Sequence, residues 1–383
     1  MTGPDGSPRP EGWDDDPDGS VRDDVGFDQS GPDHSDVAPG HRRRRPGRRR
    51  WRAAALALVV LGGALLLGGW LWVSSEAAPA ATPGPQVVFT VAAGSGWNQV
   101  TTTLAQKDVI GSSLAYRVWS QFHSLPGVQP GAYAIRQGVG FANVRDVLAG
   151  GPNVQELDIP PGFTVSEVAA RVGQLSGHST PAFRSVVRSG VVRSPFAPAG
   201  STDLEGLLGT GAYAVLPGES DRELLSHMVD RFNATARALR LDAGAARLGR
   251  TPYEVVTIAS IVQKEGVIAK NLGPVSRVIS NRLAKGMPLQ MDSTILYALG
   301  RDGGPVTPSD LKIRSPYNTY LRKGLPPTPT CLPSPAALAA ALHPAPGPWL
   351  FFVVVEPDGT EAFSTTFADQ LANEKLAARR GLG

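Results

Sequence analysis

Residues 251–266 read TPYEVVTIASIVQKEG, and the signals for one capped helix are complete within them. Thr251 suits an N-cap, Pro252 the first helical position, and Glu254 closes a Thr-x-x-Glu capping box. Val255, Ile258, Ile261 and Val262 recur at three- and four-residue spacing and predict one apolar face. Glu265 follows Ile258 by seven residues, Ile261 by four and Val262 by three, so that face carries a carboxyl while Gln263 and Lys264 point elsewhere. Gly266 marks the C-cap. Burial and the negative end of the helix dipole both disfavour a charged carboxylate there. An acid held neutral near pH 7 is what general-acid catalysis needs. Periodicity alone leaves open a surface glutamate at a frayed end, paired with Lys264 or Lys270.

Upstream, the 383 residues divide by composition. The net charge of +3 conceals eleven acids against two arginines over residues 1–36, then eight arginines over 41–52. Residues 1–52, acidic and then Arg-rich, hold too few apolar side chains to fold and are expected to be disordered. Residues 53–73 (AAALALVVLGGALLLGGWLWV) form 21 uncharged positions, which as a helix span about 30 Å, the thickness of a bilayer core. Trp51, Trp70 and Trp72 flank this stretch at interfacial positions. A cleavable signal peptide usually has a shorter apolar core, and 52 residues precede this one. The arginines Arg42 to Arg45, Arg48 to Arg50 and Arg52 place the N-terminus in the cytoplasm and the remainder outside. Because they abut an apolar segment, they do not read as a nucleic-acid patch.

Residues 74–85 (SSEAAPAATPGP) read as a small-residue linker. Residues 86–152 predict a strand at 86–92, helices at 97–106 and 114–122, a strand at 131–136 and a helix at 144–148. After Gly150-Gly151-Pro152 the pattern restarts with strand ELDIP, turn PGFT and a helix from Val165, opening a second domain over 153–383. Helices and short strands alternate without βαβ regularity, so the expected class is α+β. The single Cys331 excludes an intramolecular disulfide. Six scattered histidines form no zinc motif, and no metal or other cofactor is expected.

Three blocks carry a family resemblance: IASIVQKEG at 258–266, ISNRLAKGMPLQMDSTILYALG at 279–300 and SPYNTYLRKGLPPTP at 315–329. In this order and spacing the chain resembles the YceG-like endolytic murein transglycosylases. Residues 89–151, with GVQPGAYAI at 127–135, look like the LysM-like module that precedes the catalytic domain in that family. The resemblance implies a membrane-anchored lyase acting on peptidoglycan glycan strands. Such an enzyme cleaves between N-acetylmuramic acid and N-acetylglucosamine without water, leaves a 1,6-anhydro end and limits elongation of nascent strands. It would work in the bacterial plasma membrane near cell-wall synthases and proteins of the divisome or elongasome.

The resemblance makes Glu265 the catalytic acid. One carboxyl suffices if the sugar's own 6-hydroxyl is the nucleophile, whereas ordinary glycosidases need two. Gln290 and Asp292 alternate with apolar Leu289 and Met291, so both are expected to face one groove, with Asp292 also fit to cap the helix beginning STILYALG. Tyr317, Asn318, Thr319 and Tyr320 offer aromatic faces for sugar rings and polar groups for acetamido substituents. An ordinary loop packed by its tyrosines would read the same way. Asn281 and Arg282 are candidates to pair with carboxylates, or else lie on a solvated helix face. Pro161 and Glu361 depart from the family, which commonly has an acid and a histidine there, and 204–215 keeps Leu204-Glu205-Gly206 and Tyr213 but lacks the expected Phe-Pro-Asp. Two further readings remain: a non-catalytic peptidoglycan-binding scaffold, and a hydrolytic muramidase using Asp292 as second carboxylate.

Overall fold

A computed structural model describes residues 48–382. The expected disorder of the acidic N-terminus and the arginines before Arg48 lie outside the described residues. The first element, α1 (Arg48–Ala77), is one helix of 30 residues, about 45 Å long. Its apolar side chains, Leu58, Val59, Leu65 and Leu66 among them, are exposed. It runs four residues past the sequence-expected span, and the supposed linker after it is not free. Ala80 N–H donates to Gly138 O at 2.8 Å, Gly84 N–H to Gln137 O at 2.9 Å, and Gln137 N–H to Pro85 O at 3.0 Å.

Two separate hydrophobic cores follow. The first is built on β1 (Gln86–Val91), α2 (Trp97–Gln106), α3 (Ser113–Ser120), β2 (Gly131–Arg136) and α4 (Phe141–Ala149). β1 and β2 pair antiparallel with Phe89 opposite Tyr133, and those rings stack at 5.7 Å. Tyr116, Phe141 and Leu104 close the core against the strands, and Val73 and Ala77 of α1 pack on it. The cores are joined by a stitched junction. The Asn153 side chain accepts from Ala134 N–H at 2.7 Å and donates to Ala134 O at 3.1 Å.

The second core contains β3 (Gln155–Ile159), α5 (Val165–Val172), α6 (Thr180–Ser189), β4 (Gly211–Val215), α7 (Asp221–Ala238) and α8 (Leu241–Arg247). It continues through α9 (Pro252–Glu265), α10 (Leu272–Ala284), α11 (Asp292–Ala298) and α12 (Pro335–Leu342). β5 (Phe351–Val354), β6 (Glu361–Ser364) and α13 (Phe367–Arg379) complete the chain. β3 pairs antiparallel with β4, and β5 with β6. The described architecture is thus mixed helix and strand with three two-stranded antiparallel sheets.

The helix at 251–266 forms as its sequence dictates, with one difference. Thr251 N–H donates to Glu254 Oε2 at 2.7 Å and Glu254 N–H to Thr251 Oγ1 at 3.2 Å, so the capping box is closed. Every residue from Val255 to Val262 is buried, not one face alone. The cause is tertiary: α8, α10, α11 and α12 all pack on α9. Its two buried hydroxyls are satisfied locally, Thr257 donating to Tyr253 O at 2.9 Å and Ser260 to Thr257 O at 2.8 Å. Gly266 caps the helix at φ −79°, outside the left-handed region. A Cβ there would meet Leu272 Cδ2 at 2.8 Å, so any larger residue would have to displace that leucine side chain.

Candidate active site

The buried run of α9 ends where a cleft of ≈ 750 Å³ begins. Glu265 lies on its wall, joined by Asp292, Ser293 and Tyr297 of α11, Tyr317 of the following loop, and Glu205 from the segment before β4. The C-terminal end of α9 and the first turn of α11 meet there. Glu265 Oε1 accepts the backbone N–H of Ser293 at 3.0 Å. Its carboxyl is held above the ordinary glutamate value, first by loss of solvation and further by the Asp292 charge. The Ser293 contacts and the Arg282 cation oppose that shift without cancelling it. Some of the Glu265 surface stays open to the cleft, yet the protein encloses the rest and burial dominates.

Asp292 does not cap α11. Met291 occupies the N-cap, and Asp292 is the first helical residue. Its carboxylate accepts the Tyr320 hydroxyl at 2.6 Å and faces the cleft. Gln290 is on the other side of that turn. Leu289 and Met291 are buried as their alternation implies, but Gln290 is exposed, has a φ of 53° and is not a cleft residue. Its amide oxygen accepts from Arg282 Nη1 at 3.3 Å.

The Tyr317–Tyr320 block divides in the same way. The Tyr317 ring packs on Tyr297 at 4.8 Å and its hydroxyl meets Thr328 Oγ1 at 2.8 Å on the cleft wall. Asn318 and Thr319 are buried and spent on the backbone. Asn318 Nδ2 donates to Leu311 O and Ile313 O, both at 2.9 Å, and its Oδ1 accepts Tyr320 N–H at 2.9 Å. Thr319 Oγ1 accepts Met291 N–H at 3.0 Å, and Thr319 O accepts Gln290 N–H at 3.0 Å. These two residues hold the turn that presents Asp292.

Asn281 and Arg282 neither pair with a carboxylate nor face solvent. Asn281 Nδ2 donates to Gly347 O at 3.1 Å and Trp349 O at 2.8 Å. Arg282 is 6% exposed, donates to Leu350 O at 2.6 Å and Leu289 O at 2.5 Å, and lies over the Phe351 ring. It ties the Gln290–Asp292 turn to the start of β5. Lys264, expected to point away, lines the cleft and pairs with Asp302 at 2.6 Å. Gln263 does leave it, accepting Ser334 N–H at 2.9 Å.

Two acids outside the expected set adjoin this centre. Glu205 lines the cleft, 6% exposed, accepting Val165 N–H at 3.1 Å and the Tyr297 hydroxyl at 3.3 Å. Burial raises its carboxyl to about 8. The Leu204-Glu205-Gly206 triplet was the only signal for it. Gly206 has φ +77° and packs so closely on Pro329 that only glycine fits. Glu361 opens β6, is 7% exposed, and neither of its carboxyl oxygens has a hydrogen-bond partner among the described residues. Burial first and the Glu265 charge second raise it to about 8. Among the described residues no cluster of His, Cys, Asp or Glu is arranged to hold a metal ion.

A cleft of this size, walled by aromatic rings and carrying a carboxyl biased towards its protonated form, defines a site for acid–base chemistry on a polar ligand. The chain belongs to the YceG-like family, whose model matches residues 89–376. Among its relatives is the endolytic murein transglycosylase of Bacillus subtilis (strain 168), 25% identical over 342 residues that cover 84% of this chain and 92% of the relative. The endolytic murein transglycosylase of Streptococcus pneumoniae serotype 2 (strain D39) is 26% identical over 350 residues, 83% of this chain and 63% of that longer protein. A crystal structure of a YceG-like protein from Listeria monocytogenes matches with a TM-score of 0.51 and 24% identity, over 75% of this chain and 98% of that one. The last comparison supports the fold alone.

Proposed function

We propose that this chain is a peptidoglycan lytic transglycosylase with Glu265 as its acid and then its base. The observation that carries the reading is the Glu265 carboxyl, raised by burial, open to a cleft and steadied by the Ser293 N–H. The murein transglycosylase names of two relatives supply the substrate class. In the first half of the reaction Glu265 gives its proton to the glycosidic oxygen between N-acetylmuramic acid and N-acetylglucosamine, and the C1–O bond breaks. The muramoyl 6-hydroxyl then bonds to C1 and returns its proton to the Glu265 carboxylate. The products are a free 4-hydroxyl and a 1,6-anhydro end, and the enzyme regains its starting protonation. Since the nucleophile belongs to the substrate, the barrier falls through proximity and no second carboxylate is required. Asp292 and Tyr320, joined at 2.6 Å, and Tyr317 are the side chains we assign to substrate contact.

We read α1 as a single membrane span with the N-terminus in the cytoplasm and the cleft outside, supported by its length, its exposed apolar surface and the exposed Arg49, Arg50 and Arg52 at its start. Residues 86–152 then form a LysM-like module and 153–383 the catalytic part, beside the machinery that makes new strands. The test is to incubate the detergent-solubilised full chain with purified glycan strands and weigh the products. Anhydro ends are expected; reducing ends carrying an added water would replace this reading with a hydrolytic one using Asp292, and intact strands would refute both.

A further inference from the structure

Among the described residues, one side of α3 is left without a partner. Leu114 and Val118 of α3 and Phe122 in the turn just after it recur every fourth residue and are 58, 40 and 82% exposed. Such a row is costly to leave in water. It does not stand alone, because Phe122, Trp119 and His123 line one groove of about 410 Å³ with Trp70, Val73 and Ala77 from the end of α1. Trp119 and His123 stack at 3.9 Å, giving that groove a flat aromatic wall. Val73 and Ala77 also pack on the first core, so α3 is fixed beside the last turns of α1.

Charge points the same way. From Val109 to Arg145 the chain has Arg117, Arg136 and Arg145 and no acid. Arg145 is paired with Asp146 at 2.6 Å, which leaves Arg117 and Arg136 as the cations of this stretch, and Glu76, beside Gly111, is the one carboxylate that approaches from α1. Arg117 is exposed next to Val118. An apolar row with a cation at its edge matches the boundary between acyl chains and anionic headgroups.

We propose that the edge formed by Leu114 and Val118 of α3 and by Phe122 just after it inserts into the outer face of the bilayer, giving the protein a second membrane contact beside α1. The inference rests on reading α1 as a span. Trp70 stands at the end of that span, where indoles occupy the interface. A side chain sharing a groove with it is therefore at lipid depth. Lipid is the occupant that this continuity selects; a second copy of the chain is the competitor.

The test uses the full chain in vesicles of phosphatidylcholine and phosphatidylglycerol, with Phe122→Cys labelled by an environment-sensitive fluorophore. The native Cys331 is buried and serves as the unlabelled control. The expected result is a blue-shifted emission that is largely lost when the lipids carry a nitroxide near the headgroup. A water-like emission in protein that still floats with the vesicles overturns the inference and leaves the span intact. Failure to float overturns the span itself. A blue shift insensitive to lipid nitroxide, but falling as protein is diluted in lipid, would assign the edge to a second copy and also overturn the proposal. Gln at all three positions should remove the lipid signal of a label at Arg117→Cys without altering flotation.

Discussion

Glu265 at the last position of α9 accepts the backbone N–H of Ser293 in the first turn of α11, at 3.0 Å. The end of one helix is therefore clasped by the beginning of another. The clasp stabilises the charged carboxylate while burial favours the acid, so both states that a proton-cycling group must visit are accessible.

Replacing Glu265 with Gln preserves its shape and its bond to Ser293 but removes the proton. Strand cleavage should fall by roughly 10²–10⁴-fold, measured as anhydro ends released per unit time. The thermal midpoint should hold or rise, because a buried carboxyl is exchanged for a neutral amide. Unaltered cleavage would sink the assignment.

Asp292 raises the Glu265 value through its charge. Asn at 292 should therefore bring Glu265 closer to an ordinary glutamate. In the proposed mechanism activity needs Glu265 protonated at the outset and is lost as pH climbs through its folded value. The alkaline limb of kcat/KM should move to lower pH in Asp292→Asn, and a limb that stays in place or moves upward would contradict the coupling.

Glu361 makes the opposite kind of prediction, about stability. Its folded value of about 8 exceeds its reference value of 4.5. Between those two the folded state binds more protons than the unfolded state, so this group's contribution is full below pH 4.5 and lost as pH rises to 8. The loss is on the order of a few kcal/mol. Glu361→Gln should melt higher than the parent at pH 8.5, and the gap should close near pH 4.5. Equal differences at both pH values would argue that the side chain is solvated.

Arg282→Met keeps the bulk over Phe351 and deletes donors to Leu289 O, Leu350 O and Gln290. Leaving those acceptors bare should cost about 3 kcal/mol, read by urea unfolding. Removing the cation should also raise Glu265 further, shifting the alkaline limb upward, opposite to Asp292→Asn.

The sequence was most readable where an element decides its own form. The capping box of α9, the position of Glu265 and the strand at 131–136 depend on neighbours along the chain, and they appear where those neighbours put them. Full burial of α9 was not readable, because α12, some seventy residues later, supplies much of the cover. Asn318 and Thr319 misled for a related reason. An amide and a hydroxyl between two tyrosines resemble ligand contacts, but here they satisfy carbonyls and amides that a tight loop leaves open. Lys264 was assigned by helical angle, while its long stem lets the ammonium reach the cleft from an adjacent position. The Ser220–Glu223 capping box of α7 has the same pattern as that of α9 and marks a start that sequence reading passed over.

The pairing of residues 80–85 with the end of β2 removes slack from the chain. As a free coil, twelve residues would give a leash of roughly 20 Å. Bonded at Ala80, Gly84 and Pro85, they give the first core a fixed mount on α1 instead. If α1 spans the bilayer as proposed, an enzyme held so cannot cast about for its polymer; it drifts in a plane as its span drifts. Distance from the lipid then becomes a criterion of choice, and glycan is eligible for cutting by where it lies as much as by what it is.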